Sequence, residues 1–321
     1  MISQNRAIPA QRAKGIILVI TAAILWGVSG TVAQYLFEVQ GFSVDWLVVT
    51  RLLIAGVILL VFAYKKEGSH IWNIWKGRQD RVNLLLLSIL GMLAVQYTYF
   101  AAIKHGNAAT ATILQYLAPV LITCYIAIRV KKVPSFKELI AVLLAVFGTF
   151  LLVTQGRLEG LTISKWALIW GISSAVALAY YTLQPLTLLA KWGSTLVIGW
   201  AMLIGGTSFS FIHPPWIFQG DWSISALLAV IFVVLFGTVI PFYCYLESLH
   251  YLSASETSVL ACVEPLSAAL LAVVWLNVSF GIMEWMGTLC IVTTIMILAL
   301  SKRQPATSDT EGMVVERKEA V

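Results

Sequence analysis

Charge is what this 321-residue chain lacks most: Asp, Glu, Lys and Arg make up 11% of it, where soluble globular chains carry roughly 25%. A chain that is 60% hydrophobic, with a mean hydropathy of +0.88, belongs in lipid with so few charges. Long polar connections are missing too, which leaves no room for a soluble catalytic domain. The four cysteines, Cys124, Cys244, Cys262 and Cys290, all fall inside apolar stretches and none forms a C-x-x-C pair. Neither a zinc site nor a disulfide framework is indicated, and such cysteines act as small apolar residues. The four histidines, His70, His105, His213 and His250, sit at or near the ends of apolar runs and build no metal-ligand cluster. No Walker A, H-E-x-x-H or G-x-S-x-G sequence occurs, so ATP hydrolysis and the familiar metal and serine hydrolase chemistries have no carrier. An enzyme is not expected, nor a bound metal or cofactor.

What is present is a series of long apolar runs. A helix needs about 20 mostly apolar residues to cross a hydrocarbon core of roughly 30 Å. Ten such runs are marked off by short polar punctuation, at 16–36, 44–64, 82–103, 107–129, 137–155, 164–190, 194–212, 223–247, 254–276 and 281–300. The expected fold is an all-α membrane protein of ten transmembrane helices.

The net charge of +6 is an orientation signal. With the N-terminus in the cytoplasm, the inside segments carry Arg6, Arg12 and Lys14; Lys65, Lys66, Lys76, Arg78 and Arg81; Arg129, Lys131, Lys132 and Lys137; Lys191; and Lys302, Arg303, Arg317 and Lys318. Of the 21 basic residues, only Lys104, Arg157 and Lys165 fall outside, and Arg51 lies within the second run. Positive charge collects on the cytoplasmic side of membrane proteins. Both termini are therefore expected in the cytoplasm of an inner or plasma membrane, and no nucleic-acid partner is needed to account for the charge. The first run follows a basic start, yet it is too long for a signal peptide core and lacks a small-x-small cleavage site, so it is read as an uncleaved first span. The polar tail after Ser301 is expected to be disordered.

The most informative feature is an internal repeat. The segment GMLAVQYTYFAAIKHGNAATATILQYLAPV aligns with GTVIPFYCYLESLHYLSASETSVLACVEPL. Gly91 falls on Gly237, Tyr97 on Tyr243, Tyr99 on Tyr245, Ala108 on Ala254 and Pro119 on Pro265 at one offset (265 − 119 = 146), held without a gap to Glu138 and Glu284. Earlier in each half, LWGVSGTVA aligns with IWGISSAVA, placing Trp26 on Trp170 and Ser29 on Ser173. The expected organisation is a cytoplasmic segment 1–15, a first repeat 16–155, a second repeat 164–300 and a tail 301–321. Because each half has an odd number of spans, the second must enter the bilayer from the opposite face. Two inverted five-helix repeats are the construction of many secondary transporters.

At this point the residues resemble a known family. The Trp-Gly-x-Ser start of each half, TRLLIAGVILL in the second span, and NAATATILQYLAPV are similar to the drug/metabolite transporter superfamily, and within it to EamA-type ten-span members. CVEPLSAALL and GTFLLVT resemble the branch associated with carboxylate, amino acid or amine transport. The likeness covers residues 15–300 and implies a central cavity and export or exchange of metabolites. Many members place a Glu at the end of the fourth and ninth spans; here Lys131 and Asn277 stand there, so that glutamate's role does not carry over.

Ionisable groups inside a span are costly and are functional candidates by default. Glu264 lies in the ninth run directly before Pro265. Proline lacks an N–H and frees the carbonyl four residues back, that of Ala261, so a carboxylate stands beside loosened backbone at mid-membrane as a candidate solute or proton site. The bland alternative is a glutamate that only holds helices together. The corresponding position in the first half is Ala118. Glu247, His250 and Glu256, at span ends, are read as solvated groups or caps. Arg51 is expected to be structural or gating, with a stem long enough to snorkel outward. Polar stripes at helical spacing run through Ser29 and Gln34, through Gln96 and Tyr97, through Gln115 and Tyr116, and through Ser173 and Tyr181. These are the candidates for lining a cavity, one suited to a neutral or zwitterionic organic solute more than to a bare ion. Trp26 and Trp170, like Pro119 and Pro265, are read as structural. The functional expectation is a secondary transporter with a small-molecule solute and the lipid bilayer as partners; a homodimer is compatible with it. The competing readings are a receptor or scaffold that moves nothing, and a membrane-embedded enzyme.

Overall fold

The computed structural model describes residues 9–131, 135–155, 163–248, 251–252, 257 and 260–301. Arg6, Lys132, Arg157, His250, Glu256 and the tail from Lys302 onward lie outside them. Among the described residues the chain is all-helical, with no strand. The first five elements are α1 (Pro9–Glu38), α2 (Val44–Glu67), α3 (Arg78–His105), α4 (Ala108–Arg129) and α5 (Phe136–Thr154). They are followed by α6 (Lys165–Leu183), α7 (Ser194–Ser210), α8 (Ile224–Tyr245), α9 (Val263–Leu276) and α10 (Ile282–Ser301). Seven helices among the described residues are long and apolar enough to cross a membrane, and eight if α7 is joined to the short helix Leu186–Trp192, from which it bends by 119°. Within α9 and α10, the apolar stretches Val263–Leu276 and Ile282–Leu298 are shorter.

The packing is that of a protein in an apolar solvent. Val57, Phe62, Leu143, Val146, Phe147, Val176 and Leu270 are exposed, whereas Thr31, Gln34, Arg51, Thr112, Ser174 and Thr238 are buried. Lipid offers polar side chains no partners, so they turn inward and bond to other helices. Close contact between helices then depends on glycine. A Cβ on Gly148 of α5 would sit 2.8 Å from the Gly287 carbonyl oxygen, and one on Gly287 of α10 would sit 2.6 Å from that of Gly148. Gly56 of α2 meets the backbone of Leu203 in α7 in the same way.

Contacts between the first five helices and the last five come in matched sets. α5 packs on α10 and α2 on α7, while α1 packs on α8 and α9 as α6 packs on α3 and α4. Gly27 of α1 lies against α9, and its aligned counterpart Gly171 of α6 lies against Leu114 of α4. Irregular geometry recurs within one residue of the offset of the sequence alignment. π-Helical turns occur at Leu87–Leu93 in α3 and Phe232–Val239 in α8. The helix breaks at Tyr116–Leu117 in α4 and at Ala261–Cys262 before α9. Each break precedes a proline in a first helical turn, Pro119 or Pro265, where a missing N–H leaves no intrahelical bond unmade. Lys131 and Asn277, both with φ of 53°, end the helices that follow. The next helices open on a glutamate reaching back to a backbone N–H: Glu138 to Ser135, and Glu284 to Gly281.

Candidate functional site

The two breaks meet. Tyr116, in the turn that interrupts α4, places its hydroxyl oxygen 2.7 Å from Glu264 Oε2 and 3.1 Å from the carbonyl oxygen of Ala261. That carbonyl also accepts the Glu264 N–H at 3.0 Å, while Pro265, four residues on, has no N–H to offer it. Glu264 stands in the first turn of α9, so the run read as one continuous ninth helix is interrupted beside its carboxylate. Tyr116 carries one hydroxyl proton and faces two acceptors. A proton on Glu264 would satisfy both contacts at once, Glu264 donating to Tyr116 and Tyr116 to Ala261. Without that proton the hydroxyl must divide itself between them.

A second freed carbonyl lies nearby. Pro241 in α8 has no N–H to offer the carbonyl of Gly237 four residues before it, and Arg51 Nη2 donates to that carbonyl at 2.9 Å while its Nε donates to Thr238 Oγ1. The guanidinium carbon stands 5.0 Å from the centroid of the Phe100 ring. Arg51 is buried and does not snorkel, which corrects the sequence expectation. The irregular turn of α8 offers acceptors inside the protein, and a buried guanidinium donating to two of them binds α2 to α8. Arg51 and Tyr99 both lie within electrostatic reach of Glu264, and Tyr99 shares a 2.8 Å hydrogen bond with Thr112.

The remaining candidates are distributed around this centre. Gln115 Nε2 donates to Ser174 Oγ at 2.7 Å, linking α4 to α6. Gln34 acts as a brace: its Oε1 accepts from the Ala108 N–H at the start of α4, and its Nε2 donates to Glu38. Ser29 is buried with no hydrogen-bond partner on its hydroxyl and packs on Gly237, where no Cβ would fit. Gln96 makes only a 3.8 Å contact to Met92 Sδ. Ser173 lines a separate groove of about 410 Å³ between α3 and α6, with Thr98 and Tyr180. Tyr181 packs beside Gly91. Trp26 packs on Phe242 and Tyr245, and Trp170 on Tyr97. The structure therefore joins Tyr116 to Glu264 and leaves the other candidates in neighbouring layers. Sequence reasoning missed Thr238, Asp45 and Phe209. Pro241, four residues after Gly237, was the available signal for an acceptor at Gly237; Asp45, following Ser43, looks like an ordinary residue of a helix start.

An all-helical architecture among the described residues, with an apolar exterior and a polar, twice-broken interior, defines a multi-pass membrane protein. The EamA-like transporter family matches this sequence twice, at residues 13–154 and 165–300, and the chain belongs to that family. It is 40% identical over 296 residues to the uncharacterized inner membrane transporter YicL of Salmonella typhimurium, an alignment covering 91% of this chain and 97% of that one. It is 26% identical to the uncharacterized transporter YetK of Bacillus subtilis, over 79% of this chain and 78% of the relative. A crystal structure described only as that of a protein shares the fold, with a TM-score of 0.61 at 18% identity, covering 92% of this chain and 99% of the other.

Proposed function

We propose that the chain is a secondary transporter that exports or exchanges small organic metabolites such as amino acids, amines or carboxylates by alternating access, with proton coupling at Glu264. In this reading residues 16–155 and 164–300 are inverted repeats of five spans each, and both termini face the cytoplasm. The double match to one family and the recurrence of the π-turns, breaks and left-handed caps support the duplication. Ten crossings are supported by which ends touch. Lys14 bonds Tyr251 in the turn after α8, and Lys191 pairs with Asp80 at the start of α3, contacts that belong to the inner face. Lys104 bonds the carbonyl of Phe37, and Asp221 N–H that of Gln40, which belong to the outer face. Every one of these contacts joins ends that ten crossings would put on the same side.

The observation that carries the proposal is the Tyr116–Glu264 contact, formed between the halves where both helices break. A proton entering or leaving Glu264 changes how many hydrogen bonds join the two repeats. Such a change biases a two-state element. The test uses purified protein in proteoliposomes loaded with amino acids, amines and carboxylates. Wild type should give saturable flux driven by a proton gradient. Glu264→Gln should lose the gradient-driven component and keep solute counterflow. Failure of every solute class to show saturable flux would sink the transporter reading; unchanged gradient-driven flux in Glu264→Gln would sink the coupling role.

A further inference from the structure

A second acidic position lies apart from Glu264, at the end of the bundle where α2 begins. Asp45 sits in the first turn of α2, partly exposed, with an Oδ1 that no hydrogen bond reaches. A ring nitrogen of His213, Nε2, stands 3.6 Å from Asp45 Oδ1, and no Lys or Arg pairs with Asp45 among the described residues. Asp45 also faces the hydroxyl of Tyr97, as both an electrostatic and a hydrogen-bonding neighbour. The Tyr97 ring lies 5.7 Å from Trp170 and 5.5 Å from Phe209, and Phe209 lies 4.9 Å from His213. All five side chains are partly exposed, neither sealed in the core nor fully open. They come from α2, α3, α6 and α7 and the segment that follows α7, so both halves contribute.

A carboxylate with one oxygen free of hydrogen bonds, set beside several aromatic rings, has a specific chemical preference. Ring faces carry negative quadrupole charge and attract organic cations, most strongly where water is excluded. A carboxylate adds a full opposite charge and repels an anion. One carboxylate without further hard oxygen ligands is a poor site for calcium or magnesium, which take six or more oxygens or retain a water shell. We infer that Asp45, Tyr97, Trp170 and Phe209 form a recognition site for an organic ammonium group, with His213 marking the position the ammonium takes over. The solute class is then narrowed to amines and amino compounds, in contrast to simple carboxylates. This rests on the transporter reading and places a solute-binding step near the outer mouth, distinct from the Glu264 contact.

The test is binding of phenethylamine to the purified full-length protein in detergent by calorimetry, beside two probes of similar shape, neutral 2-phenylethanol and anionic phenylacetate. The amine should bind saturably and at least about tenfold more tightly than either analogue, about 1.4 kcal/mol. Asp45→Asn should erase that preference, Asp45→Glu should retain most of it, and Phe209→Leu should weaken the amine about tenfold with the fold intact by size-exclusion profile. Equal binding of phenylacetate by wild type, which needs no variant to fold, would overturn the site. So would an undiminished amine preference in Asp45→Asn. The two readings fail separately. Saturable flux of carboxylates unaffected at Asp45 would remove this site and leave a transporter, while tight amine binding without any flux would keep the site and remove transport.

Discussion

Replacing Tyr116 by Phe isolates the contact on which the functional proposal depends. The substitution removes one oxygen and leaves the ring, so packing around the α4 break changes little. What disappears is the 2.7 Å contact to Glu264 and the 3.1 Å contact to the Ala261 carbonyl. A typical hydrogen bond contributes about 0.5–1.5 kcal/mol net, and hydrogen bonds between helices in a bilayer average about 0.6 with a ceiling near 1.7. The Glu264 oxygen loses its donor while the Ala261 carbonyl keeps the Glu264 N–H, so Tyr116→Phe should lower unfolding stability by about 1–2 kcal/mol. Glu264→Gln keeps an oxygen that accepts and adds an amide that donates, so it should cost under about 0.5 kcal/mol, the price of a well-tolerated polar exchange. The double variant should fall short of additivity, because the pair is in contact. The assay is reversible unfolding of the purified protein by SDS titration in mixed micelles, followed by tryptophan fluorescence. A Tyr116→Phe protein as stable as wild type, with a strictly additive double variant, would refute the reasoning.

Arg51→Lys should lower stability by about 1–3 kcal/mol in the same titration, because an ammonium does not reproduce the two-pronged bond to Thr238 and Gly237; wild-type stability would show that the α2–α8 link contributes nothing. Gly287→Ala forces a methyl against the Gly148 backbone and should cost about 1–3 kcal/mol by overpacking, with solute preference in proteoliposomes unchanged; a shift in preference would tie α5 and α10 to the cavity. Lys104→Met removes the bond to the Phe37 carbonyl at the end of α1 and should cost about 0.3–1 kcal/mol, read as a lower thermal midpoint in detergent.

Much of the site was legible in part. Glu264 and Pro265 stood out because a carboxylate in an apolar run is rare and a proline frees a known carbonyl. Tyr116 carried no such mark: it was one of several polar residues on a stripe, and only the crossing of α4 and α9 brings its hydroxyl to that carbonyl. Arg51 was noticed for its charge, yet its destination was misjudged, since its acceptors lie 186 and 187 residues away in sequence. Gln34 looked like a cavity residue and turned out to brace the start of α4.

The sequence by itself determined that this is a helical membrane protein and set the register in which its two halves align. These follow from composition, run length and periodicity, which are local properties enforced by a hydrocarbon solvent. Only the tertiary structure decided which polar groups meet. Partners in lipid are chosen by the helix crossings that glycines permit, and the carbonyls freed by Pro241 and Pro265 take whichever donor those crossings bring within reach.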